Sequence, residues 1–586
     1  MLLKNFKRFK ILAFGILCAS ISASAAMDSR DGCESSESWT LGAEVPLRFQ
    51  KRFKRYLSGR MSALEAFSHA RRLRSESEDE NVEQFAGYWL SHAFMKAKIY
   101  PMAHKGFSSI IEGDVSKASL AVQSAALSCL LKIGQELEAR ELPKEAINVI
   151  AMMPASEFRS RASYRMNLQN RNGDATKFIS AKSPYELVNR AFNGVRTNQW
   201  RVAAEALDAY FLNKSHPSEL KSQESHLRIL AARAQFSIGN FKKARDYYVG
   251  VDRSSNEFAE ALSELAWSQL RMREHNAAIG TSLSLQTGWL VSTYSPEAVM
   301  IMAMAFNETC HFPEALRAMD LFKKQYAPVS DWLTNTKVPN GDFYSLALSA
   351  LKKEEKVPFR ISGEWIRSPL FLNRQSEINE MIKQDSYMVD AEVVAKKAQK
   401  QMAVDLLKVV ASIKKNIAQF KKLNPDKDLF SNDINSSLDD LRAGLEDYDT
   451  LRRAAPPWKS LKKGNTELAT SRRKELVADI NSAIKNMNQQ MLYQLADVVE
   501  NFRFVEIEIY QGASMDMVFS HANPQFEKKL KEAKKPDGGV RPNEWQWGSL
   551  DTGSLQSQEI WEDELGGFKA DLPNRCDKRK VAASGK

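Results

Sequence analysis

The 586-residue sequence is poor in glycine, with 26, and in cysteine, with five. The glycines stand mostly alone, and no dinucleotide or Walker-type glycine loop occurs, which argues against a nucleotide-cradling site. His-Glu-x-x-His and Gly-x-Ser-x-Gly strings are absent too, so neither a zincin nor a hydrolase nucleophile elbow is expected. The eight histidines are scattered, and no Cys or His spacing resembles a zinc site. No catalytic residue, metal or cofactor is therefore assigned. Outside the N-terminus there is no apolar run near the length of a membrane span, and mean hydropathy is -0.42, which argues against a multi-span membrane protein. Charge of one sign is in modest excess at +11, and basic residues are interspersed with acidic ones. Arg71, Arg72 and Arg74 are followed at once by Glu76, Glu78, Asp79 and Glu80, a solvated mixed surface. No nucleic-acid partner is expected, and a peripheral contact with envelope polymers or a membrane is left open.

The first 26 residues have the layout of a secretory signal. Lys4, Lys7, Arg8 and Lys10 precede the apolar stretch from Ile11 to Ile21, and Ala23-Ser24-Ala25-Ala26 supplies small residues for cleavage. Leu17 before Cys18 is too large for a lipobox. The expectation is an exported, periplasmic chain, with outer-membrane association open, and a flexible mature N-terminus over 27–45. Processing leaves Cys33, Cys129, Cys310 and Cys576 in an oxidising compartment, where three pairings are possible. Cys129 lies in an apolar run and reads as a buried free thiol. Cys33 and Cys576 lie in polar segments near the two ends, and a Cys33–Cys576 bridge is the preferred pairing.

A frame recurs along the middle of the chain. A small residue is followed nine positions later by an aromatic or histidine and twelve positions later by alanine. It is clearest at Ala232…Phe241…Ala244…Tyr248, Ala266…His275…Ala278 and Ala303…Phe312…Ala315…Met319. Looser copies are Ser91…Tyr100…Ala103…Phe107 and Ala191…Trp200…Ala203…Leu207. Spacing near 34 residues with this pattern is the signature of paired, stacking helices. The two small residues let the helices approach, and the aromatic and the large residue beyond fill the seam. The fold class expected is all-α: a tetratricopeptide-like α-solenoid over 46–330, short connecting helices over 331–369, then a long antiparallel helical coiled-coil stalk over 370–515. The stalk rests on three apolar stripes: Met402 to Phe420, Phe430 to Tyr448, and Leu476 to Val505. Asn424-Pro425-Asp426 and Pro456-Pro457 are read as the two breaks, giving a hairpin or three-helix stalk. A loop and C-terminal docking segment over 516–576 follows, with Trp561-Glu562-Asp563-Glu564-Leu565-Gly566 expected to dock on the protein's own helices. A disordered tail covers 577–586.

The frames at 91–107 and 228–326 resemble tetratricopeptide repeats. Leu265-Ala266-Trp267-Ser268, Glu508-Ile509-Tyr510-Gln511-Gly512-Ala513 and the Trp561 string are similar to large exported tetratricopeptide proteins of gliding and predatory bacteria. That resemblance implies a non-enzymatic periplasmic scaffold that binds envelope protein partners, in some relatives within motility machinery. Candidate partner-binding residues on first helices of the pairs are Arg228, Gln235 and Gln269. Two alternatives stand beside it: a peptidoglycan-active enzyme carried on a helical solenoid, and an outer-membrane assembly factor.

Overall fold

The computed structural model describes residue 33 and residues 45–115, 119–137, 142–154, 156–168, 183–213, 216–352, 354, 357–423, 427–522, 570 and 572–576. The expected signal peptide, the 561–568 string and the basic tail lie outside these residues. Every regular element described is helical, so the fold is all-α. The chain divides into two compact units: residues 1–186 with 373–476, and residues 187–372 with 477–586. Neither unit is a continuous stretch. The expected succession of solenoid then stalk is therefore cut across, because each unit includes part of the long C-terminal helices.

In the first unit the helices are α1 (Leu47–Leu57), α2 (Ala63–Glu76), α3 (Glu80–Lys96), α4 (Tyr100–Ile111), α5 (Leu120–Glu136), α6 (Ala146–Met152) and α7 (Glu157–Leu168). Helix α8 (Pro184–Arg196) begins in this unit and continues into the second. Local signals set several starts. Ser62 and Glu65 form a reciprocal capping box on α2, and the Asp79 carboxylate accepts the amides of Asn81 and Val82 at the start of α3. In the second unit follow α9 (Trp200–Leu212), α10 (Ser218–Lys221), α11 (Glu224–Ser237), α12 (Phe241–Val249), α13 (Phe258–Arg271), α14 (His275–Ser284), α15 (Pro296–Glu308), α16 (Phe312–Asn335), α17 (Phe343–Leu351) and α18 (Phe359–Arg367). Each of α11 to α16 packs on the next in sequence, and α11, α13 and α15 also touch in succession.

All five frames fold into the same turn. Tyr100, Trp200, Phe241, His275 and Phe312 each begin the second helix of a pair. Two residues earlier the backbone is left-handed: Lys98, Asn198, Gly239, Arg273 and Cys310 have φ of 60°, 58°, 83°, 62° and 57°. The next amide reaches back five residues, as in Ile99 to Phe94, Asn240 to Gln235 and His311 to Phe306 at 2.8 to 2.9 Å. The left-handed residue's own amide bonds three residues back, completing a Schellman motif. The residue that closes the first helix also opens the second, since its carbonyl accepts from the frame alanine at 103, 203, 244, 278 or 315. Those alanines are fully buried, as are four of the small residues twelve positions before them; the fifth, Ser91, is nearly so. Packing there is close: a Cβ built on Gly106 lands on Ser91 Oγ, with Ser91 Cβ 3.1 Å away.

Two long helices follow, α19 (Pro369–Leu423) and α20 (Lys427–Ala522). Asn424-Pro425-Asp426, the first expected break, lies outside the described residues. Pro456-Pro457, expected to be a second break, instead lies inside α20. Two missing amides cost the helix two hydrogen bonds, and the packing beside them compensates. Trp458 is buried against the rings of Phe67 and Phe94, its indole donates to Met388 O at 3.2 Å, and Ala454 and Leu451 are buried one and two turns before. Within the first unit the two helices run antiparallel in a steady register, with Arg472 on Glu377, Thr466 on Asp385 and Trp458 on Met388. Within the second unit, residues 477–522 of α20 lie against α15 to α18. The Phe502 and Phe322 rings are 4.5 Å apart, the Tyr294 hydroxyl donates to Met491 O, and the Trp365 indole donates to Asn488 at 2.8 Å.

Candidate functional site

In the second unit, polar side chains tie each helix pair to the next. Asp208 on α9 accepts from Gln235 of α11 at 3.0 Å and from Lys243 and Tyr247 of α12 at 2.5 and 2.6 Å. Arg233, one residue past the frame alanine of α11, forks onto Glu264 of α13 and also pairs with Glu260. The Tyr248 hydroxyl donates to the same Glu264 at 2.7 Å. Burial and the two carboxylates push the phenol of Tyr248 well above its usual range. Trp267, one past the frame alanine of α13, donates to Glu297 of α15 at 2.6 Å, and Gln494 of α20 donates to the other oxygen at 3.1 Å. Burial raises Glu297 above the usual carboxylate range. Asp208, Glu264 and Glu297 are thus struts between neighbouring helices.

These contacts decide the fate of the three expected partner-binding residues. Gln235 is 2% exposed and Gln269 is 7% exposed, so neither is presented to a partner. Both face inward because α11 and α13 are sandwiched between other helices, and Gln235 is spent on Asp208. Arg228 does reach solvent. Its guanidinium pairs with Glu224 at 2.6 Å, lies 4.9 Å from the Phe211 ring centre and packs beside Gly250. Leu212 at the end of α9 and Val249 at the end of α12 are both exposed, next in sequence to the Phe211 and Gly250 that Arg228 packs on. The sequence pattern that revealed the frames gave no sign of Leu212 or Val249, because each follows the last periodic residue of its helix.

The first unit holds a buried charged cluster. Arg52 of α1 donates to Asp447 of α20 at 2.9 Å, and Arg72 of α2 pairs with Glu446 at 2.5 Å. His69 Nε2 lies 3.5 Å from Asp447. That carboxylate favours a charged ring, but burial outweighs it together with the guanidiniums of Arg52, Arg72 and Arg55, and His69 falls to about 3. Burial likewise raises Asp447, against the pull of Arg52. The cluster fixes α20 on α1 and α2.

The cysteines pair otherwise than expected. Cys33 is bonded to Cys129, and Cys310 to Cys576. The expectation of a Cys33–Cys576 bridge and a free Cys129 is corrected. The apolar run of α5 buries Cys129 beside Cys33, whose carbonyl accepts the Tyr88 hydroxyl at 2.9 Å. Cys576 is instead carried to the α15–α16 turn by a short segment along the second unit. Ala570 N donates to Asn276 O, Arg575 N donates to Thr309 O, and His311 Nε2 contacts Pro573 O. The His92 ring lies within 4.8 Å of the Cys33 and Cys129 sulfurs, but those sulfurs are joined to each other and are not thiolate ligands. No described helix is long and apolar enough to cross a membrane. Comparisons with known protein families, with curated proteins and with solved structures found no match.

Proposed function

We propose that this chain is a non-enzymatic periplasmic scaffold of tetratricopeptide type. Its helix pairs form an α-solenoid that holds an envelope protein partner, and its two long helices form an antiparallel coiled-coil stalk. The observation that carries this reading is the turn repeated five times with one left-handed residue and one bonding pattern. Pairs built alike stack alike, and stacked pairs offer extended binding surfaces. Two disulfides favour an oxidising compartment. The partner contact is assigned to Arg228 with the exposed Leu212 and Val249, since Gln235 and Gln269 are buried. The test is a photo-crosslinking amino acid at 212 or 249 in intact cells, with Ser237 as the control position. A discrete adduct shared by 212 and 249, absent at 237 and lost on Arg228→Glu, is expected. No adduct at either position, or hydrolysis of peptidoglycan by the purified chain, overturns the scaffold reading.

A further inference from the structure

Charge on the paired long helices of the first unit is banded. Residues 393–418 of α19 carry six lysines against one aspartate, and residues 450–474 of α20 carry eight basic residues against one glutamate. The antiparallel register sets residues 393–400 of α19 beside 450–457 of α20, and the rest of the α19 stretch beside residues 434–449, whose charges are mostly acidic. Glu392 shows the proximity, since Lys396, Lys459 and Lys462 all help hold its carboxyl below the usual range. Among the described residues, Lys397, Lys400, Lys414 and Lys415 have no acidic partner.

The face is not only basic. At about 100° per residue, Val393, Lys397, Lys400, Val404, Leu407, Lys414 and Lys415 share one side of α19, with buried Ala395 and Ile413 on the other. Val393, Val404 and Leu407 are 59%, 47% and 69% exposed, so aliphatic side chains stand between the lysines along a face about 33 Å long. No aromatic residue occurs in 393–418, and the sole aromatic in 450–474, Trp458, is buried. A single-stranded nucleic acid needs stacking platforms, and this face has none. Lysines interleaved with exposed aliphatics fit an anionic lipid surface, where headgroups meet the charges and the aliphatic side chains enter the acyl boundary.

We propose that this face of α19, with the adjoining basic stretch of α20, binds anionic phospholipid membranes peripherally. The inference does not depend on the scaffold reading. The test is sedimentation of the full-length purified chain with vesicles of phosphatidylcholine, with and without phosphatidylglycerol. Binding is expected to require phosphatidylglycerol and to weaken with salt. Each lysine removed lowers the partition coefficient about five-fold. The triple variant Lys397→Gln/Lys400→Gln/Lys415→Gln should therefore lose about two orders of magnitude. The matched control Lys242→Gln/Lys324→Gln/Lys352→Gln, on exposed positions of the second unit, should bind as the parent does. All six positions are exposed, and unchanged circular dichroism confirms folding. Val404→Asn/Leu407→Asn should weaken binding while leaving its salt dependence intact. Three results overturn the proposal: no binding to phosphatidylglycerol vesicles at low salt, equal loss in the control triple variant, or an unaffected Val404→Asn/Leu407→Asn variant whose vesicle binding polyaspartate abolishes. The last marks the face as a site for soluble polyanions.

Discussion

The left-handed residue of the repeated turn can be tested in both directions within the second unit. Gly239 has φ of +83°, and a Cβ built on it meets nothing within 4 Å, so Gly239→Ala introduces no clash. Its cost is conformational alone. An L-residue in the left-handed region is disfavoured by roughly 1–2 kcal/mol, partly offset because alanine loses less freedom on folding than glycine. The net expectation is a loss of about 1 kcal/mol. Arg273 holds the same place in the next pair at φ of +62°, and its side chain is exposed. Arg273→Gly removes the same strain and adds unfolded-state freedom, for a gain of a few tenths to about 1 kcal/mol. Urea unfolding followed by circular dichroism should move the midpoint down for Gly239→Ala and up for Arg273→Gly, with the slope unchanged. On heating, each kcal/mol corresponds to a shift of about 2–4 °C. A neutral Gly239→Ala together with a destabilised Arg273→Gly would refute the claim that one strained turn is shared by the five pairs.

Four further outcomes follow from particular contacts. His69 is neutral in the folded state down to about 3 and ordinary in the unfolded state, so the unfolded chain binds the extra proton below the usual histidine value of 6.5. Stability of the first unit should therefore fall with pH across that window, by up to about 1.4 kcal/mol per pH unit from this residue. His69→Gln should flatten the pH profile, and an unchanged slope counts against the assignment. Gly106→Ala should cost about 1–3 kcal/mol by overpacking against Ser91. Ser91→Ala should recover part of that loss in a double-mutant cycle, and strict additivity would deny the close approach of α3 and α4. Trp458→Ala removes a buried indole from between Phe67 and Phe94 and should cost about 3–5 kcal/mol, read from denaturant unfolding. Non-reducing peptide mapping should recover Cys33 with Cys129 and Cys310 with Cys576, and a Cys33–Cys576 peptide would contradict the observed chain path.

What the sequence made legible was local. The aromatic or histidine of every frame marks the first residue of a second helix, and the frame alanine marks the first amide bonded inside it. Both properties depend on a dozen residues and recur wherever those residues do. The left-handed position two residues earlier was hidden, because glycine fills it only at 239. Lys98, Arg273 and Cys310 give no local sign of positive φ, and the surrounding bonds impose it. Pro456-Pro457 is the converse case. Local chemistry there argues for a stop, and the buried Trp458 anchor, drawn from residues 67, 94 and 388, overrides it.

The same distinction explains why the polar residues were misread. Gln235 sits on a first helix where a groove-facing side chain was expected, yet its partner Asp208 is 27 residues earlier and turns it inward. Arg52 and Asp447 are 395 residues apart, and neither position carries a pattern that links them. An arginine removed from water without its carboxylate costs several kcal/mol, so such contacts tolerate only one arrangement of the helices that bear them. Periodicity sets which residues can pair helices. The long-range charges then fix which helices meet, and a polar residue on a first helix turns inward wherever such a partner reaches it.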